Sequence, residues 1–518
     1  GTGVIRHNWT KRLIALRDDV PVDVDVLSLV REDWDEAALA AIFTELEFSS
    51  FASRIQAVFT SDPARYALIL DEPSLEELVQ QCRQSAGVAL LVLPPKMRHG
   101  RDPLIGLAIA GDQVAPAYVP LSHRYLGAPK MLPAGAVFAR LRPLLEQATT
   151  ALYAYDYKTT WGVLAAHGVD VAKCQNDVLV AAHLLDATEA SYELAELARR
   201  HLGFDATSLA EMEGRGRERR TFEELDVKAA GRFAAEAADV TFALGKLLRE
   251  RLASANLTSL LDDVELPLAR VLAKMENHGI RVNTTLLREL SQTVGAECKE
   301  LETRIVAVAG EPLNVASPKQ LSALLFDKLG LRTERMRKTT LGFSTDHSVL
   351  EELFDAHPIV PLLLEHRELV KLKNTYLDAL PPLLNNKTGR LHTTYAQAAA
   401  STGRLASTQP NLQNIPIRSE LGNKIRRAFE AEPGSVLVSA DYSQVELRVL
   451  AHLSGDTVLC RAFENDLDVH AQTAAEVFDV PITQVTSEQR RVAKAVNYGL
   501  GYGQTDFGLA RALDITRA

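Results

Sequence analysis

Short apolar runs alternate with helical patterns through residues 50–260. VALLVL (88–93) and LIGLAIAG (104–111) read as strands, and VAPAYVPL (114–121) follows them. Apolar positions at helical spacing predict helices at 136–150, 159–167 and 178–185, and the Ala-rich stretch 229–252 is well patterned for another. Strands first and helices after point to an α/β domain. From about residue 264 the pattern turns helical. LPLARVLAKMENHG (266–279) carries apolar residues at helical spacing and ends in Gly279, a C-cap residue. A basic, turn-rich stretch, LRTERMRKTTLG (331–342), separates two further helical regions, and helical periodicity returns at 348–380. No internal repeat or low-complexity tract interrupts this order.

Composition places the chain among soluble globular proteins. Its 518 residues suggest about three domains, and 47% apolar with 24% charged residues is enough for several cores. Cys82, Cys174, Cys298 and Cys460 lie far apart with no CxxC pair. This spacing argues against a disulfide scaffold and a zinc ribbon, and a reducing, cytoplasmic setting is the expectation. No apolar run approaches the roughly 20 residues of a membrane span, and no charged-then-apolar leader opens the chain. The first 45 residues combine a basic amphipathic stretch (6–17) with an acidic one, DDVPVDVD (18–25), that reads as a linker. A net charge of −10 argues against a simple basic nucleic-acid binder. The charge is uneven, however: residues 301–450 carry a slight basic excess, so a local surface can be positive.

Two segments carry chemistry. In SVLVSADYSQVELRVLAHLSGD (435–456), residues 435–440 predict an apolar strand with Asp441 at its end. After a three-residue turn, Val445, Val449, Leu450 and Leu453 predict an amphipathic helix. A carboxylate at a strand end can be aimed into a cleft to hold a divalent metal, but an isolated Asp there is more often a helix cap. In SEQRRVAKAVNYGLGYGQTDFGLA (487–510), Ser487 and Glu488 start a helix, and Arg490, Lys494 and Tyr498 recur every fourth residue on one face. Tyr502 follows one turn later. Cations beside aromatic rings suit a nucleoside triphosphate, and they equally suit a solvated basic stripe with structural tyrosines.

Together the segments are more specific than either alone. SADYSQVELR followed by RRVAKAVNYGLGYG resembles the first two polymerase motifs of the family A DNA polymerases. TGRLASTQPNLQNIPIRSELGNKIRRAF (402–429) resembles the primer–template segment of that family. ASPKQLSALLFDKLG (316–330) and KLKNTYLDALPPLL (371–384) resemble its thumb and the return to its palm. The resemblance implies an α/β, ribonuclease H-like 3′–5′ exonuclease-like domain at 46–263. An α+β right-hand polymerase domain would follow at 264–518, with the thumb near 285–365, part of the palm near 385–455 and the fingers from about 456. Residues 1–45 would be a linker and the remnant of a 5′-nuclease end.

The family's reaction is attack of a primer 3′-hydroxyl on the α-phosphate of an incoming deoxynucleotide, assisted by two Mg2+ ions. The resemblance assigns Asp441 and the Tyr442 carbonyl to metal binding. Glu446 would crowd the sugar 2′ position, and Arg490, Lys494 and His470 would contact the triphosphate, with Lys494 also a proton donor to pyrophosphate. Tyr498 would pack beside the sugar, where a tyrosine hydroxyl favours dideoxynucleotides, and Tyr502 would stack near the template. Arg404, Asn411, Gln413, Asn414 and Gln444 would line the minor groove of primer–template DNA, where polar readout is nearly sequence-independent. The basic stretch holding Arg332, Arg335, Arg337 and Lys338 reads as a phosphate-backbone contact or a solvated loop. A monomer acting on DNA and deoxynucleoside triphosphates, with no membrane partner, is implied.

The exonuclease pattern is broken. The first strand lacks the Asp-x-Glu pair, Thr160 stands where the second motif has Asp, and Phe233 and Ala237 replace the third motif's tyrosine and aspartate. Glu236 and Asp239 remain, but without the strand pair they cannot build a two-metal site. The third polymerase motif, with a second metal-binding aspartate, is expected beyond Ala518. The alternative to a polymerase is therefore a noncatalytic DNA-binding fragment, and an active exonuclease is disfavoured.

Overall fold

The computed structural model describes residues 59–94, 103–147, 149–216, 219–332, 337–340, 342–417 and 419–501, with a few isolated positions beyond them. The stretches 6–17 and 18–25, Arg335 and Tyr502 lie outside the described residues. The chain divides into two compact units, Gly1–Glu432 and Pro433–Ala518.

The first unit opens on a six-stranded sheet of β1 (Ala67–Leu68), β2 (Gly87–Leu93), β3 (Gly106–Gly111), β4 (Val114–Pro120), β5 (Ala151–Ala154) and β6 (Cys174–Asp177). Its order is β1-β4-β3-β2-β5-β6. Strands β2, β3 and β4 run antiparallel, with Leu90 opposite Ile109 and Ala108 opposite Tyr118, whereas β5 and β6 continue the sheet in parallel. Every residue of β2 is buried, which explains its unbroken apolar run. Val88, Leu90 and Val92 join one core with α1 (Glu72–Gln84) and α2 (Ala134–Leu145). Ala89, Leu91 and Leu93 point the other way.

Helices α3 (Tyr157–Ala166) and α4 (Val178–Leu185) follow the central strands. Helix α3 starts two residues earlier than its pattern predicts because Asp156 caps it, accepting from Thr159 N at 3.1 Å. Asp177 likewise opens α4, and it also accepts from the backbone N–H of Tyr157 at 2.8 Å. The Ala-rich α5 (Val227–Ser254) covers the second face of the sheet with Ala230, Phe233, Ala234, Ala237 and Ala238. Its small residues allow close approach. A Cβ at Gly245 would stand 2.5 Å from the Tyr153 ring.

A π-helical turn, Leu260–Glu265, runs into α6 (Leu266–His278), which ends at Gly279 with φ 60° as the Gly predicts. Helix α6 packs on α3, and there Lys158 Nζ donates to Glu276 Oε1 at 2.6 Å with both side chains 7% exposed. The same oxygen accepts from Tyr395 N at 2.7 Å. Burial works to discharge Lys158, but Asp156 and Glu276 outweigh it and hold its pKa above the usual lysine value.

Beyond α6 come β7 (Ile280–Val282), the 26-residue α7 (Thr284–Ala309), a hairpin of β8 (Lys338–Thr339) and β9 (Gly342–Phe343), and α8 (Ile359–Leu372). Helices α7 and α8 pack together, and their ends share a core with Leu325, Phe326 and Leu350. Strands β10 (Arg390–Leu391) and β13 (Phe429–Glu430) flank β7 antiparallel. Between them in sequence, β11 (Thr394–Ala396) and β12 (Ala406–Thr408) form a separate hairpin.

The second unit holds α9 (Val445–Ser454), α10 (Thr457–Glu464), α11 (Val469–Val477) and α12 (Ser487–Gly501). Two expectations fail here. Residues 435–440 are not a strand: no described strand pairs with them, and Val436, Leu437 and Val438 are exposed. A strand needs ladder partners for its peptide groups, so apolar composition alone does not make one. Helix α9 forms where expected, but Val445, Val449, Leu450 and Leu453 are exposed while Leu447 and Ala451 are buried. Leu447 packs with Ala462 and Val469, so the core is made by the face opposite to Val445, Val449, Leu450 and Leu453 in a helix with apolar residues on both sides. Among the described residues, no helix is long and apolar enough to cross a membrane.

Candidate active site

Helix α12 presents the cationic and aromatic face of the second unit. Its start is fixed by Thr486 and Gln489, which bond reciprocally: Gln489 N donates to Thr486 Oγ1 at 3.2 Å and Thr486 N to Gln489 Oε1 at 2.9 Å. The four-residue spacing then stacks Arg490, Lys494 and Tyr498 along one side. Lys494 is exposed, and its Nζ lies 6.0 Å from the centre of the Tyr498 ring.

Helix α11 packs against α12 and completes the cluster. The His470 ring is 5.7 Å from the Tyr498 ring and only 2% exposed. Asp468 does two jobs that sequence reasoning missed. One oxygen caps α11, accepting from His470 N and Ala471 N at 3.0 and 3.1 Å, and the other accepts from Arg490 Nε at 2.6 Å. Burial raises the Asp468 pKa, but the Arg490 bond and the cap reverse this and hold it below the usual carboxylate range. Burial and the neighbouring Arg490 push the His470 pKa down, with Asp468 opposing. The residue therefore sits neutral beside two cations. The signal for Asp468 was present in DVHAQTA, an Asp two residues before the helical His, which is an N-cap spacing.

Arg490, Lys494, Tyr498 and His470 thus come together. Asp441 does not join them through any hydrogen bond or ion pair among the described residues. It is exposed, as is Tyr442 at 82%, in the segment just before α9. Gln444 precedes α9 with φ 53°, and its carbonyl accepts from Arg448 N at 3.0 Å. Glu446 is exposed in the first turn of α9. Among the described residues no three His, Cys, Asp or Glu side chains are grouped to hold a metal. One exposed carboxylate with a nearby carbonyl suits a hard oxygen-seeking cation that keeps waters and phosphates as its other ligands. Asp441 and Tyr442 fit as a partial ligand set.

The polar candidates of the first unit surround the β11–β12 hairpin. Arg404, Asn411, Gln413 and Asn414 are exposed. Gln413 is partly spent on the loop itself, accepting from Ser407 N at 3.0 Å and donating to Leu405 O at 3.1 Å. Asn411 Oδ1 accepts from the backbone N–H of Gln413 and Asn414 at 3.0 and 3.3 Å. The Asn414 carbonyl accepts from Tyr376 Oη at 2.6 Å, which fixes the loop to the core below. Arg337 and Lys338 are exposed on the β8–β9 hairpin, with Lys338 Nζ 5.7 Å from the Phe343 ring. Arg332 instead folds back, donating to Phe326 O and Leu331 O at 2.5 and 2.8 Å.

In the sheet unit the altered positions are packed as core. Phe233 and Ala237 lie within the apolar cluster under β2, and Thr160 is wholly buried with no partner for its hydroxyl among the described residues. Glu236 is used structurally, accepting from Thr207 N at 2.7 Å.

The sequence profile of DNA polymerase family A matches residues 284–518, and that of the DNA polymerase I ribonuclease H-like domain matches 136–239. DNA polymerase I of Pseudomonas aeruginosa is 38% identical over 523 residues, covering 98% of this chain and 57% of that protein. DNA polymerase I of Chloroflexus aurantiacus is 36% identical, covering 98% and 58%. The chain therefore spans a little over half the length of these relatives. Among solved structures it is similar to the POL domain of Pol1 from M. smegmatis in complex with DNA primer-template and dNTP. The TM-score is 0.72 at 32% identity, covering 87% of this chain and 74% of that one. The chain belongs to DNA polymerase family A and carries a ribonuclease H-like domain ahead of its polymerase segment.

Proposed function

We propose that this chain is the Klenow-like large-fragment part of a bacterial DNA polymerase, adding deoxynucleotides to a primer 3′ end as directed by a template in repair and gap filling. The observation that carries the reading is the cluster of Arg490, Lys494, Tyr498 and His470 on α11 and α12. Arg490 and Lys494 take the triphosphate, and His470 adds a neutral donor beside them. Lys494, exposed and one turn from Tyr498, is placed to give a proton to the leaving pyrophosphate. Asp441 and the Tyr442 carbonyl hold Mg2+, which when bound polarises the reacting phosphate and activates the primer hydroxyl. Glu446 excludes a ribose 2′-hydroxyl by bulk. Arg404, Asn411, Gln413, Asn414 and Gln444 face the minor groove of primer–template DNA, Tyr502 stacks near the template, and Arg337 and Lys338 meet phosphates. In this reading residues 285–365 are the thumb, 385–455 part of the palm and 456 onward the fingers, working as a monomer in the bacterial cytoplasm.

With magnesium, a primed template and four deoxynucleotides, the protein extends the primer to the template end; failure to extend overturns the reading. In the same mixture without nucleotides, single-stranded DNA stays untrimmed, because Thr160, Phe233 and Ala237 supply no metal ligand. Efficient loss of 3′ nucleotides would refute an inactive exonuclease domain. Dideoxynucleotides are incorporated readily, and Tyr498→Phe lowers their incorporation relative to deoxynucleotides about tenfold, the worth of one hydrogen bond. Equal ratios in the two proteins would contradict that role for the Tyr498 hydroxyl.

A further inference from the structure

Asn497 lies between Lys494 and Tyr498 on α12 and reaches back to α11. Its Nδ2 is 3.2 Å from His470 Nδ1. With the amide NH2 facing it, His470 Nδ1 is the acceptor and carries no proton. Thr473 Oγ1 gives its one proton to Val469 O at 3.0 Å and lies 3.0 Å from Asn497 Nδ2, so it accepts from the same amide NH2 that faces His470. The groups facing His470 are Asp468 from its own helix and Arg490, Lys494, Asn497 and Tyr498 from α12. Burial and the two cations keep the ring neutral, the one state in which the choice of tautomer matters.

We propose that Asn497 is a positioning residue that holds His470 in the tautomer with its proton on Nε2, so that an N–H is offered to the triphosphate. The proposal rests on the nucleotide-site reading given above. With the opposite tautomer a lone pair on Nε2 would meet phosphate oxygens and repel them. Asn497 thereby sets the sign of the His470 contact without touching the nucleotide.

The test compares the full protein with Asn497→Asp, which can only accept while ionised, and Asn497→Ala, which does neither. Long-range 1H–15N spectra of the labelled imidazoles report the tautomer directly. The proposal expects an Nε2–H His470 in the parent, Nδ1–H in Asn497→Asp and a mixture in Asn497→Ala, with thermal melting confirming that each variant is folded. It expects the dNTP KM to rise about tenfold in Asn497→Asp with kcat within about twofold. Adding His470→Ala should cause no loss beyond that of His470→Ala alone. An Nδ1–H His470 in the parent, an unchanged tautomer in Asn497→Asp, or additive losses would overturn it. If the tautomer switches but dNTP leaves the parent's His470 signals unmoved, the nucleotide reading itself is overturned while the Asn497–His470 arrangement stands.

Discussion

Replacing Asp441 by Ala is expected to reduce primer extension by about a thousandfold or more while leaving the fold intact. Asp441 is exposed and makes no hydrogen bond or ion pair with any described residue, so its removal should change stability by no more than about 0.5 kcal/mol. Loss of activity cannot then be ascribed to unfolding. The expected size follows from what the carboxylate does in the proposed site. It helps hold the cation that neutralises charge developing on the phosphate, and losing one such electrostatic stabiliser costs about 100- to 1000-fold, more when a metal leaves with it. Primer–template affinity should stay within about threefold, because the other phosphate and minor-groove candidates, Arg337, Lys338, Arg404, Asn411, Gln413 and Asn414, lie well before Asp441 in the chain and Gln444 itself is unchanged. Single-turnover extension against DNA affinity separates the two effects. A variant that extends primers within tenfold of the parent would remove Asp441 from the mechanism.

Glu276→Ala should be strongly destabilising, lowering stability by about 3–5 kcal/mol. Lys158 and Glu276 are each 7% exposed and 2.6 Å apart, so deleting the carboxylate takes away the hydrogen-bonded partner of a buried charge in the packed contact between α3 and α6 and leaves it only the fields of Asp156 and Asp177. The Tyr395 N–H loses its acceptor as well. Replacing both partners, as in Lys158→Met with Glu276→Leu, should recover most of the loss, because apolar residues of similar size need no counterion. Denaturant unfolding of parent, single and double variants measures this. Equal destabilisation in single and double variants would show that packing, not the orphaned charge, dominates.

These two residues mark how far the sequence was legible. Asp441 was found because it lies in a local motif, and Arg490, Lys494 and Tyr498 because helical spacing is a local rule. Lys158 and Glu276 are 118 positions apart, and nothing in either neighbourhood announces the other. The strands 88–93 and 104–111 were readable since buried strands write themselves as apolar runs, and α5 since its small residues recur on one face. Residues 435–440 misled for the same reason: an apolar run states an appetite for partners and does not supply them. In α9 the sequence offered apolar residues on both sides, and only the position of α10 selects Leu447 and Ala451 for burial. Asp468 and Asn497 were passed over because their work is to orient Arg490 and His470, and such support is visible only once two helices are packed together.

The central claim is that this chain selects and joins nucleotides under the instruction of a template. Single-nucleotide addition measured on four primed templates, differing only in the next template base, tests it most directly. With magnesium present, each template should accept its complementary deoxynucleotide at least about a thousandfold more efficiently than the other three. The same reactions with Asp441→Ala should show almost none. Absence of addition on all four templates, or addition that ignores the template base, would contradict the account.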